Sequence, residues 1–93
     1  GGSRGQAVQY LQEAILLLEG LVADFPALTL YRSDLVRANA ALLSNLMALQ
    51  RFEDAAAVAD KLAERNPGEP RINEMLGTYY AERGQHAQSQ SSN

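Results

Sequence analysis

Leu42-Leu43-Ser44-Asn45-Leu46-Met47-Ala48-Leu49-Gln50-Arg51-Phe52 and Leu76-Gly77-Thr78-Tyr79-Tyr80-Ala81-Glu82-Arg83-Gly84-Gln85-His86 superimpose at an offset of 34 residues. Leu42, Leu46, Gln50 and Phe52 stand against Leu76, Tyr80, Gly84 and His86. A period of about 20–50 residues is the signature of stacked helical or solenoid units. Each such unit lacks a closed core and buries its apolar face against a neighbour. The pattern therefore implies a helical-repeat surface suited to holding another protein, without identifying that protein.

Outward from these stretches the chain reads as four helices. A first helix over about residues 4–24 carries Val8, Leu11, Ile15, Leu18 and Val22 at three- and four-residue steps, the amphipathic α-period. Leu16, Leu17 and Leu21 widen that stripe, so the helix is expected to pack on two sides. Pro26 ends it, lacking an amide proton and biasing its predecessor away from α geometry. A second helix begins between Thr29 and Ser33, either of which can cap it, and buries Leu35, Ala38, Leu42, Leu46 and Leu49. Gln50-Arg51 is a tight turn. Phe52 opens a third helix with Ala55, Ala59 and Leu62 inward, stopped by Asn66-Pro67-Gly68. The fourth covers about residues 70–83, with Pro70 at the first helical position. Its stripe is Ile72, Leu76, Tyr79 and Tyr80, with Tyr80 in the core and Tyr79 toward a following helix. Gly84 closes it. Residues 85–93 are polar and small, with little apolar surface to offset their ordering entropy, and read as a frayed or disordered tail. Gly1-Gly2-Ser3 reads as a linker or tag remnant, leaving residues 4–84 as the domain.

Composition agrees with one small all-α domain or a piece of a larger one. The 93 residues are 46% hydrophobic, with no Trp, four Tyr and two Phe, and Ala and Leu dominate, which favours helix. A chain of this size buries only roughly 60–65% of its unfolded surface, so packing must be efficient. The absence of cysteine excludes a disulfide scaffold or thiolate metal site and suits a reducing, cytoplasmic setting. A net charge of −3 with scattered cations argues against nucleic acid. The apolar run 14–23 contains Glu19 and Gly20, is too short to span a bilayer, and follows no basic region of a signal peptide.

The same residues carry a family likeness. Leu76-Gly77-Thr78-Tyr79-Tyr80 followed by Gly84 resembles the first helix of a tetratricopeptide repeat, a 34-residue helix pair with an L-G-x-x-Y core and a closing proline. The preceding unit, residues 36–69, places Leu42, Leu46, Phe52, Ala55, Ala59, Leu62 and Pro67 in register. Ala14, Leu18, Leu21 and Pro26 resemble a second helix alone. The resemblance covers roughly residues 6–86 and implies antiparallel hairpins stacked as a short right-handed superhelix of about four helices. There are two departures. Leu43 stands where the family has a small residue such as Gly77, which implies a looser or shifted hairpin. Ala14 and Ala55 are 41 residues apart, so the segment 28–34 is expected to lengthen the second helix by one or two turns. The phrase Asp24-Phe25-Pro26 with Tyr31-Arg32-Ser33-Asp34-Leu35 resembles longer repeats in the tails of some bacterial multidomain proteins, including serine/threonine kinases.

No catalytic constellation is legible. His86 is the only histidine and lies among polar residues, short of a metal site's other ligands. Ser44 sits on a helix without a base. Glu53 and Asp54 suit the third helix's dipole. Gly77 and Gly84 form no phosphate cradle. The chain is accordingly read as a non-enzyme without metal or cofactor.

The resemblance instead implies a concave face lined by the first helices of successive units. Arg37, Ser44 and Met47 on one and Arg71, Glu74 and Thr78 on the next are the candidate partner-binding residues. Arg37 and Arg71 are 34 apart and suited to receive a peptide carboxylate, though each also fits an ordinary solvated arginine. The carboxylate clamp of chaperone-binding family members is not present, since Ala40, Ala41 and Ser44 fall where its Lys/Asn set would be. Leu16, Leu17, Ile72 and Tyr79 exceed what one hairpin buries and form an expected self-association surface. Two functions remain open: capture of a protein or peptide segment, and homo-oligomerisation or docking onto a parent chain.

Overall fold

The computed structural model describes residues 2–91, with side chains over residues 3–85. Among the described residues the fold is all-α, with four helices: α1 (Gly2–Asp24), α2 (Thr29–Ala48), α3 (Phe52–Arg65) and α4 (Pro70–Ser91). Each packs mainly on its neighbours in sequence, and the short connections turn successive helices antiparallel. The start of α1 meets the end of α2, where Arg4 Nη1 donates to Asn45 Oδ1 at 3.2 Å. Likewise α1 and α3 share one side of the molecule while α2 and α4 share the other. The body is an open slab of 51 × 33 × 15 Å. Its radius of gyration of 14.3 Å exceeds the about 12 Å of a compact domain of this length.

One core runs through all four helices, most extensively between α1 and α2. Ala55 and Ala59 are 0% exposed, and their small side chains leave room for Leu42, Leu46 and Leu62 in the same core. Leu43 is itself buried, so the departure from a small residue is absorbed by packing. One buried residue of α2 escapes the apolar stripe: Asn39, whose amide donates back to the Leu35 carbonyl at 3.1 Å. It takes the phase expected of Ala38 because α2 is covered from two sides, by α1 and by α3.

The turns follow local chemistry. Gln50 adopts φ 59°. Arg51 N donates to Leu46 O at 2.9 Å and Gln50 N to Met47 O at 3.0 Å, the paired bonds of a Schellman helix end. After α3, Asn66 donates from both its backbone and its side chain to the Leu62 carbonyl. It is Gly68, at φ 76°, that takes the left-handed conformation. Between α1 and α2, Arg32 Nη2 donates to Pro26 O at 3.1 Å and the Phe25 and Tyr31 rings lie 6.2 Å apart.

Four expectations change. Neither Thr29 nor Ser33 caps α2; Leu28 occupies the cap position and makes no side-chain bond. Gly84 does not close α4, whose backbone stays helical to Ser91. At Gln50 a turn is offset by the apolar face of α3, whereas residues 85–91 offer no such face and keep their intrahelical bonds. Gly2 and Ser3, read as linker, likewise carry helical backbone. The two tyrosines exchange roles: Tyr79 is buried while Tyr80 is 50% exposed. Tyr79 lies in phase with Ile72 and Leu76 on the face covered by α3, and Tyr80 lies one residue off it. The expected lengthening of the second helix is observed, α2 having 20 residues against 14 in α3.

Glu19 ties α1 to α3. Its Oε2 accepts from Lys61 Nζ at 2.7 Å and Arg65 Nη1 at 3.0 Å. The Lys61 hydrogen bond, opposed by partial burial and aided by the charges of Lys61 and Arg65, holds the carboxyl below its ordinary value. A depressed folded-state value stabilises above the unfolded one and is lost as pH falls through the folded one. Glu19→Gln should cost about 0.2–1 kcal/mol at neutral pH, the range of partly exposed pairs. The difference from wild type should close on acidification below the usual carboxylate range, read by thermal melts across pH. Ala59→Leu should cost about 1–3 kcal/mol by overpacking the core, while Ala57→Leu, on the exposed side of α3, should change urea stability little. Tyr79 Oη is buried without a hydrogen-bond partner, so Tyr79→Phe should leave the urea midpoint unchanged or raised, because a desolvated hydroxyl is removed.

Candidate partner-binding groove

Because α2 and α4 both lean on α3 rather than on each other, a trough is left between them. Its floor is apolar, from Val36, Ala40 and Leu43 of α2 and Ile72 and Met75 of α4. At one end Arg37 and Arg71 wall a recess of ≈ 420 Å³ together with Arg32, Ser33 and Glu69. At the other, Ser44, Met47, Thr78 and Glu82 wall a second recess of ≈ 230 Å³. Ala40 and Met75 belong to both, so the trough is continuous.

Five of the six residues expected on the concave face thus lie on this trough: Arg37, Ser44, Met47, Arg71 and Thr78. Glu74 does not wall either recess; its carbonyl accepts from Thr78 Oγ1 at 3.3 Å. Glu82, two helical turns on, supplies the acidic wall instead. Sequence reasoning also missed Arg32, because it lies five residues from Arg37 and so off its face of the helix. The loop bond to Pro26 O holds it at the trough's rim.

The arrangement is polar end to end. Three guanidinium groups gather at the end nearest the starts of α2 and α4, facing one carboxylate, Glu69. The far end carries Glu82 and no wall cation. Neither Arg37 nor Arg71 makes an ion pair among the described residues, and both are exposed. Arg fits planar carboxylates bidentately, and methionines such as Met47 and Met75 adapt to irregular apolar shapes. From Arg37 to Met47 the helix rises about 15 Å, the span of roughly five extended residues.

The expected self-association set divides. Leu16 and Leu17 are 70% and 72% exposed on α1, but Ile72 and Tyr79 are buried. Both belong to the core, Ile72 at the closed floor of the trough, and form no free self-association surface, so these two assignments are corrected. His86 lies outside the residues whose side chains are described. Among the described residues no helix is long and apolar enough to cross a membrane. No protein-family model, curated protein or solved structure matches the chain, so the reading of the trough rests on its own geometry.

Proposed function

We propose that this chain is a non-catalytic interaction module that binds an extended peptide or protein segment along the α2/α4 trough, in a reducing compartment. The observation that carries the reading is the trough's polarity: unpaired Arg37 and Arg71 at one end, a methionine-lined apolar floor, and Glu82 at the other. The matching ligand is a segment of about five extended residues with a carboxylate at one end of an apolar run. The tetratricopeptide resemblance is consistent with it in one respect: of the seven in-register positions, Leu42, Leu46, Ala55, Ala59 and Leu62 share one core, while Phe52 and Pro67 lie outside it. A right-handed superhelix belongs to the same proposal.

A second reading, self-association or docking onto a parent chain, is favoured by the bare Leu16 and Leu17 of α1. The groove reading is tested with an array of short acidic-ended apolar peptides, ranked by fluorescence anisotropy. Arg37→Glu with Arg71→Glu should weaken the best binder at least about 100-fold, two charge-assisted contacts being worth ~1.5 kcal/mol or more each. The helical circular dichroism should stay unchanged. Undiminished affinity in that variant would defeat the reading.

A further inference from the structure

The two ends of the molecule expose opposite halves of one contact that the middle of the molecule completes. In the middle, Asn39, Leu43 and Leu46 of α2 are buried on the side that meets α3. Asn39 walls one recess with Leu62 and another with Val58. At the 34-residue offset their equivalents on α4 are Asn73, Gly77 and Tyr80, and all three are exposed. On α3 the answering face is Ala55, Val58 and Leu62, of which Ala55 and Leu62 are buried. At the 41-residue offset its equivalents on α1 are Ala14, Leu17 and Leu21. Leu17 is exposed and the other two are only half-buried.

The bare face of α1 is regular. Ala7, Tyr10, Ala14, Leu17 and Leu21 recur at three- and four-residue steps, a second apolar seam beside the one occupied by α2. The bare face of α4 is its counterpart in the repeat. Gly77 and Gly84 flank Tyr80 without side chains, and a Cβ added at either would meet only open space. Relative to α2, Gly77 stands for Leu43 and Tyr80 for Leu46, so the α4 face presents one projecting ring beside bare backbone. The chain exposes 6326 Å², roughly 1,000 Å² more than the about 5,300 Å² of a compact monomer of its mass. The bare α1 seam and the bare α4 face are part of that excess.

We infer that a second copy of this chain docks head to tail, the α4 face Asn73-Gly77-Tyr80 of one copy covering the α1 seam Tyr10-Ala14-Leu17-Leu21 of the next. The joint rebuilds between molecules the antiparallel helix pair that α2 and α3 form within one. It rests on the self-association reading, gives it a geometry, and is independent of the trough. Such a contact is heterologous, so it propagates to longer assemblies unless one end is blocked.

Sedimentation equilibrium with two end-blocked variants tests this. Leu17→Arg and Gly77→Arg alter exposed positions and should leave the helical signal intact. Wild type should form species larger than monomer as concentration rises, while each variant alone should stay monomeric. Their equimolar mixture should reach twice the monomer mass and stop, because only one intact α1 seam and one intact α4 face remain to meet. A variant that dimerises by itself would sink the head-to-tail geometry while leaving self-association standing. A wild type monomeric up to millimolar concentration would overturn both. Arg37→Glu with Arg71→Glu should leave association unchanged; loss of association there would place the contact in the trough and overturn this one.

Discussion

The complete burial of Ala55 and Ala59 on α3 is the constraint on which the remaining structure depends. With no side chain beyond a methyl at either position, they leave room for Leu42, Leu46 and Leu62 in the same core. α3 then acts as a spacer. α1 reaches it through Glu19, and α4 leans its Ile72-Leu76-Tyr79 face against it. The trough between α2 and α4 exists because both helices pack on α3. A larger residue at Ala55 or Ala59 would therefore disturb the trough without lining it.

The same period produces unlike outcomes at its two occurrences. Gln50 and Gly84 are equivalent in the repeat, yet the chain turns back at Gln50 and continues as helix through Gly84. Gln50 accepts a left-handed conformation that costs a non-glycine residue free energy, because the turn delivers the apolar face of α3. Beyond Gly84 the sequence holds no comparable face, so nothing offsets a turn even where glycine makes one inexpensive. The end of a helix thus depends on the apolar face of the next segment as well as on the residue at the end itself.

Much of the architecture was legible. The stripes on α1, α2 and α3, the turn at Gln50-Arg51, the stop around Asn66 to Gly68 and the lengthened α2 all derive from periodicity and turn chemistry. The trough was largely legible too, since Arg37, Ser44, Met47, Arg71 and Thr78 share one side of the α2/α4 layer. Asn39 was missed because polarity usually argues against burial, and only its bond to the Leu35 carbonyl makes the buried amide tolerable. Tyr79 and Tyr80 were exchanged because adjacent residues on a helix differ by about 100° in direction, so a small error in the phase of the stripe inverts which is buried. Arg32 joins the trough through a loop contact that no periodicity encodes.

By itself the sequence determined the helical class, the number and order of helices, and which residues could form one core. These depend on local propensity and on the 3.6-residue period, which act within a few turns of chain. Only the tertiary structure decided which face of each helix found a neighbour. It placed Leu16, Leu17 and Tyr80 outside, buried Ile72 and Tyr79, and opened a trough with arginines at one end. The physical reason is that apolar stripes specify burial without specifying a partner. On α1 the chain carries apolar face, at Tyr10, Leu16 and Leu17, that its neighbouring helices leave exposed.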